Sequence, residues 1–171
     1  MDFNQNYFEI FGLPIDFNVD SDQLAERYRE LQKELHPDRF ASSTDQEKRL
    51  SMQWSALVNT GRETLRAPLP RAIYMLELRG LTVDHNPRLS PEFLMQQIEL
   101  REELEELEES SAPLDGLDKF KARLNGTLNE LGATFAATDD DEGSLRLVYE
   151  MQFLTKLLVA ADQLEEKLLD Y

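Results

Sequence analysis

Apolar positions along this chain recur at steps of three and four residues, the spacing that gathers side chains onto one face of a helix turning about 100° per residue. Between 24 and 35 the set is Leu24, Tyr28, Leu31 and Leu35. Asp20 and Ser21 stand just ahead, placed to accept from the free amides of a first helical turn. Pro37 ends the helix at His36, because it has no amide hydrogen, strains the turn before it and biases His36 toward extended backbone. A second pattern runs from about 46 to 65, with Leu50, Trp54, Leu57, Val58 and Leu65 as its inner face, and Pro68 and Pro70 close it. Two such helices predict an antiparallel hairpin in which each buries its stripe on the other, with short helices over 6–11 and 71–79 packed alongside.

Gly80, Asn86, Pro87, Ser90 and Pro91 then crowd helix breakers into one segment, which predicts a boundary. The expected organisation is one domain over 1–79, a linker over 80–91 and a second domain over 92–171. Ser90-Pro91-Glu92 reads as N-cap, first-position proline and first-turn acid of a helix reaching about 109. Further helical patterns cover roughly 114–138 and 144–170. The acidic run Asp139-Asp140-Asp141-Glu142 separates them and reads as a solvated loop, since it lacks the spaced ligands and turn glycine of a calcium-binding loop. No strand-like alternation bounded by turns is present. The expected fold is all-α, a helical hairpin with short flanking helices followed by a three-helix bundle.

Composition narrows what such a fold does. A hydrophobic fraction of 41% beside 30% charged residues is enough for a core, so the chain is expected to fold. The 34 acidic against 18 basic residues give a net charge of −16, a field that repels phosphate backbones and anionic lipid headgroups. Neither nucleic acid nor membrane is an expected partner. No window approaches the roughly 18 apolar residues of a membrane span, and the first residues lack the pattern of a secretion signal, so a soluble, cytoplasmic protein is expected. With no cysteine and only His36 and His85 as imidazoles, thiolate chemistry, disulfides, cysteine-ligated clusters and a histidine-rich metal site are excluded. No cofactor is expected.

The tripeptide His36-Pro37-Asp38 sits at the turn of the hairpin. Around it, in order, stand Tyr7, Phe8, Leu13, Leu24, Tyr28 and Leu31, then Phe40, then Leu65-x-x-Pro68-x-x-Arg71-Ala72-x-Tyr74. That succession resembles the J-domain over residues 1–75. The whole chain is similar to the HscB family, in which a J-domain precedes an acidic three-helix domain. The second half of the match is carried by Phe93 to Leu104 and by Leu164-Glu165-Glu166-Lys167-Leu168-Leu169-Asp170-Tyr171. The chain departs from the family at Gly61 and Arg62, where alanine and an aromatic residue are more usual. A mid-helix glycine costs roughly 1 kcal/mol relative to alanine, so Gly61 is expected to loosen the hairpin. The cysteine-bearing segment of eukaryotic members is absent, which points to a bacterial-type protein.

The resemblance implies a co-chaperone, not an enzyme. It implies stimulation of a DnaK-type ATPase chaperone (HscA-like) through His36, Pro37 and Asp38, with Arg29, Lys33 and Arg39 beside them, and delivery of an IscU-like iron–sulfur scaffold protein. A helical wheel independently places Arg29, Lys33 and His36 on the outward face of their helix, where cations steer and orient a partner's carboxylates. The competing view is that Arg29 and Lys33 pair with Glu26, Glu30 and Glu34 along the helix. His36 and Asp38 lack the third group and nucleophile of an acid–base site. A plain turn, with Asp38 capping the next amides, is the competing reading of the tripeptide.

On the 91–109 helix, Phe93, Gln97, Leu100, Leu104 and Leu107 mark the inward face, which leaves Leu94, Met95 and Ile98 pointing elsewhere as a second apolar stripe. Glu99, Glu102 and Glu106 border it, an apolar centre with a charged rim of the kind that binds protein. In the last helix Leu147, Met151, Leu154, Leu157, Leu158, Ala161 and Leu168 keep the core spacing, and Phe153 lies about a quarter-turn off it. Leu94, Met95, Ile98, Glu99, Glu102, Glu106 and Phe153 match positions with which the family holds its scaffold client. Periodicity alone equally allows Leu94 and Phe153 to be buried. A different class of function also fits the pattern, an acidic helical scaffold or self-associating bundle in which the tripeptide is accidental. A hydrolase using paired glutamates has almost nothing behind it, for no base or pocket accompanies them.

Overall fold

The computed structural model describes residues 2–170 and contains no strand among them. Seven α-helices follow one another: α1 Tyr7–Ile10, α2 Ser21–Glu34, α3 Asp45–Arg66, α4 Pro68–Leu78, α5 Pro91–Glu108, α6 Pro113–Ala136 and α7 Asp141–Leu169, with a 3-10 turn at Pro37–Phe40 between α2 and α3. The chain divides into two compact units, residues 1–80 and 81–171.

In the first unit α2 starts on Asp20, whose carboxylate accepts from the amides of Asp22 and Gln23. It ends at Glu34 with Leu35 as its C-cap, ahead of Pro37. α3 starts on a capping box, Thr44 and Glu47 each satisfying the other's backbone amide. The amide and hydroxyl of Thr44 hold the exposed Glu47 carboxyl below the usual range. Phe8, Phe11, Leu24, Leu31, Leu35, Trp54, Val58 and Leu65 make up the core of the hairpin, with Tyr7, Tyr28, Leu57 and Tyr74 packed at its edge.

The inner face of α3 is Ser51, Trp54, Val58, Gly61 and Leu65. Leu50, expected inside, is 43% exposed. Trp54, Val58 and Leu65 are buried and Leu57 packs at the core edge as expected, while a small hydroxyl and a glycine fill the remaining face positions, which a search for large apolar residues skips. Ser51 satisfies its buried hydroxyl on the Lys48 carbonyl at 3.2 Å. Gly61 is equally explained: a Cβ there would stand 3.1 Å from Phe11 Cε2 and 3.1 Å from Tyr7 Cδ1. Glycine therefore lets α1 and Phe11 approach α3, a packing role beside its propensity cost. Tyr7 is fixed from its other side by stacking on Tyr74, whose hydroxyl accepts from the Tyr7 amide at 3.0 Å. Pro68, expected as a stop, is also the first residue of α4.

The second unit is the three-helix bundle α5–α7. Leu117, Phe120, Leu124, Phe153, Leu154, Leu157, Ala161 and Leu164 are its buried centre, and Phe93, Leu100, Leu104 and Leu107 of α5 pack against it. Ser90 caps α5, accepting from the Phe93 amide at 3.2 Å. Of the acidic run read as a loop, Asp139 and Asp140 are non-helical and Asp141 and Glu142 open a helix. Asp140 accepts from the Gly143 amide at 2.6 Å, and Asp141 and Glu142 occupy the first turn of α7, where negative charge meets the positive helix end. Lys121 of α6 reaches α7 through Asp162 and Glu165, each at 2.8 Å, and these partners hold its ammonium charged well above the ordinary lysine range. No helix of the described residues is long and apolar enough to cross a membrane.

Candidate functional site

The first candidate surface is built by the abrupt end of α2. Because Pro37 breaks the helix, His36 turns into extended backbone, φ −59° and ψ 134°, and the chain re-enters a 3-10 turn. His36, Pro37, Asp38 and Arg39 are all exposed, the side chains of His36 and Asp38 by 58% and 92%. The His36 ring caps this turn, Nδ1 accepting from the Asp38 amide at 3.2 Å. The competing sequence reading had the roles reversed, with Asp38 as the cap. Here the Asp38 carboxylate caps nothing and is largely exposed, with Oδ2 3.6 Å from the ring's Nδ1.

A groove of about 440 Å³ runs beside the tripeptide between α2 and α3. Its floor is Leu35 and Val58, and Arg29, Lys33, His36 and Pro37 stand along it with Gln32, Ser55 and Asn59. Neither Arg29 nor Lys33 forms an ion pair with a described residue, and Glu30 is taken by Arg27. The intrahelical salt bridges that would have consumed these cations are therefore absent. Gln32 and Asn59 were not singled out in the sequence. They join Tyr28 in a chain of hydrogen bonds, Gln32 Nε2 donating to the Tyr28 hydroxyl and that hydroxyl to Asn59 Oδ1, each at 2.7 Å. Only Tyr28 carried a periodicity signal, and a polar partner on the facing helix leaves no pattern in a single strand of sequence.

The second candidate surface lies on α5, a helix with apolar residues on two sides and none fully buried. Phe93, Gln97, Leu100, Leu104 and Leu107 are half-buried toward the bundle, as the spacing predicts. Leu94, Met95 and Ile98 are exposed by 45%, 58% and 51%. Glu99, Glu102 and Glu106 are exposed beside them. Periodicity left Leu94 free to be buried, and the structure places it at the surface.

Phe153 is different. It is 6% exposed, lies within the bundle core and meets Phe93 edge-on, with ring centroids 5.9 Å apart and planes at 86°. The Arg101 guanidinium sits 5.7 Å from its ring centre. The expected extension of the exposed patch by Phe153 is thus corrected. The α7 ring faces α5 and supports the helix from behind, because a quarter-turn off the core axis still points inward where a third helix covers that side.

Among the described residues no group of three or more histidine, aspartate or glutamate side chains is arranged to hold a metal ion. On α5, Glu99, Glu102 and Glu106 are exposed, whereas Glu103 pairs with Arg123 of α6 and Glu108 with Lys167 of α7. What the two surfaces offer is recognition, one cationic with a hydrogen-bonding tip and one apolar with a negative border.

Residues 89–162 match the family model described as the HSCB C-terminal oligomerisation domain. The chaperone HscB from Vibrio cholerae is 34% identical over 96% of this chain and 99% of its own, with a TM-score of 0.83. Human co-chaperone protein HscB is 27% identical, with a TM-score of 0.87 over 100% of this chain and 86% of its own. The Jac1 co-chaperone from Saccharomyces cerevisiae, at 20% identity and a TM-score of 0.69, shares the fold.

Proposed function

The chain belongs to the HscB family of co-chaperones, and from that premise we propose that it stimulates the ATPase of a DnaK-type chaperone through its first unit and presents an IscU-like iron–sulfur scaffold protein on its second. The observation that carries this reading is the tip at the hairpin turn. His36, Pro37 and Asp38 are exposed, and Arg29 and Lys33 line the adjoining groove without ion pairs of their own. Such a surface lacks the nucleophile and buried acid–base pair of an active site, and it suits docking onto carboxylates and backbone amides of a partner that does its own chemistry. The chain acts as an adaptor and not as an enzyme.

The scaffold end is Leu94, Met95 and Ile98 with Glu99, Glu102 and Glu106. Burying three exposed apolar side chains supplies the affinity, and the carboxylates orient a client that carries cations. Phe153 contributes from beneath, by holding Phe93 and α5 in place. Steady-state ATPase assays of a DnaK-type chaperone test the first half: His36→Gln is expected to abolish stimulation, and full stimulation by that variant rejects it. Calorimetric titration with a purified scaffold protein tests the second. Leu94→Ala with Ile98→Ala is expected to weaken binding at least about tenfold, as for central interface anchors, with helical circular dichroism unchanged.

A second reading draws on the exposed stripe and on the name of the matching family model, an oligomerisation domain. The same Leu94, Met95 and Ile98 face would then join two copies of the chain. Sedimentation separates the two, since a stable dimer lost on mutating Met95 and Ile98 favours self-association.

A further inference from the structure

The histidine of the tip makes a hydrogen bond that its place in the chain demands. Pro37 has no amide hydrogen, so the first backbone donor after His36 is the amide of Asp38. The His36 ring meets it, with Nδ1 3.2 Å from the Asp38 nitrogen, and the His36 carbonyl accepts from the Arg39 amide at 3.0 Å. A ring nitrogen that accepts from an N–H carries its lone pair there, so the proton of the neutral ring is on Nε2. The same Nδ1 lies 3.6 Å from Asp38 Oδ2. The two contacts exclude one another. Nδ1 accepts from the amide when it is bare and donates to the carboxylate when it is protonated.

We propose that the working form of this tip is the neutral Nε2–H imidazole, and that protonation of His36 switches the tip off by exchanging the backbone cap for an ion pair with Asp38. In the neutral form Nδ1 holds the turn from inside, Nε2–H is left as an outward donor, and the Asp38 carboxylate is left for a cation or amide of the partner. In the charged form Nδ1–H faces the Asp38 amide donor to donor. The turn then loses its cap, and the carboxylate is drawn to the ring. The charged groups around the ring are few. Arg29 and Lys33 of α2 line the same groove, Arg39 follows in the turn, and α3 contributes only the uncharged Ser55, Val58 and Asn59. No carboxylate lines that groove, so Asp38 is the anion to which a protonated ring turns. The switch rests on the chaperone-facing reading of the tip, whereas the cap does not.

Nuclear magnetic resonance of the nitrogen-15-labelled full chain tests the cap, His85 being the one other imidazole to assign. At neutral pH the His36 Nδ1 is expected to resonate as a bare nitrogen and Nε2 as a protonated one. The Asp38 amide proton is expected downfield, moving upfield with the midpoint of the ring's own titration. His36→Asn, whose short side-chain oxygen can serve as an N-cap, is expected to keep the downfield amide through that midpoint. His36→Gln, one methylene longer, is expected to lose it. An Nδ1–H tautomer overturns the proposal, as does an Asp38 amide that ignores the ring titration and is unchanged in His36→Gln. Stimulation of a DnaK-type chaperone, measured against that chaperone's basal rate at each pH, tests the switch. It is expected to fall with the His36 midpoint, and stimulation constant through that midpoint overturns the switch even with the cap intact. A protein that stimulates at no pH removes the chaperone reading and the switch together, while the resonance data still decide the cap.

Discussion

Two glycines in long helices, Gly61 and Gly126, have opposite surroundings and so make opposite predictions. A methyl group at Gly61 meets the rings of Phe11 and Tyr7 at 3.1 Å, and neither ring is free to retreat, since Phe11 is fully buried and Tyr7 is stacked on Tyr74. The gain in helix propensity is about 1 kcal/mol, whereas overpacking costs about 1–3 kcal/mol. Gly61→Ala is therefore expected to lower stability by up to about 2 kcal/mol. Nothing lies within 4 Å of a Cβ at Gly126, an exposed position in α6, so Gly126→Ala is expected to raise stability by about 0.5–1 kcal/mol. Thermal unfolding followed by circular dichroism reads both, and a stabilised Gly61→Ala contradicts the close approach of α1. The sequence located Gly61 and weighed only its propensity cost, because a propensity scale sees the helix and not the ring across from it. It likewise exposed the tripeptide, while its plain-turn alternative put the cap on Asp38, where His36 makes it. A hydrogen bond between residues two apart depends on backbone angles that no residue pattern specifies.

At the scale of elements, helix bounds were legible to within a few residues wherever a cap and a breaker bracket an apolar stripe, as with Asp20 and Pro37 around α2 or Ser90 and Pro91 at the start of α5. The start of α7 was missed because consecutive aspartates look like a solvated run, although one of them is the cap. The two faces of α5 were legible from spacing alone, and the depth of Phe153 was not, since it depends on where a third helix lies. Glu150 of α7 supplies a pH-dependent prediction at this scale. It is partly buried, and burial pushes its carboxyl above the ordinary value of 4.5, with Arg146 opposing. The folded chain therefore holds that proton more tightly than the unfolded one, a contribution present below 4.5 and lost as pH rises through the raised value. Glu150→Gln is expected to stabilise the protein at neutral pH by up to about 0.5 kcal/mol after solvent screening, the gain vanishing in more acidic solution. Urea unfolding at two pH values checks it. A variant less stable than the parent at neutral pH contradicts the assigned cause.

At the scale of the whole molecule, two surfaces of unlike character are carried by two separately compact units. The excess of negative charge is compatible with this because Arg29 and Lys33 stand free on one surface while Glu99, Glu102 and Glu106 border the other. If the units carry separate tasks, a lesion in one leaves the other's task intact. The most direct measurement is the steady-state ATPase of a DnaK-type chaperone with the full-length protein, with and without a purified IscU-like scaffold, comparing His36→Gln with Leu94→Ala/Ile98→Ala. The account predicts that His36→Gln stimulates in neither condition, and that the patch variant keeps the scaffold-free stimulation but loses the further increase when scaffold is added. Undiminished stimulation by His36→Gln would contradict it.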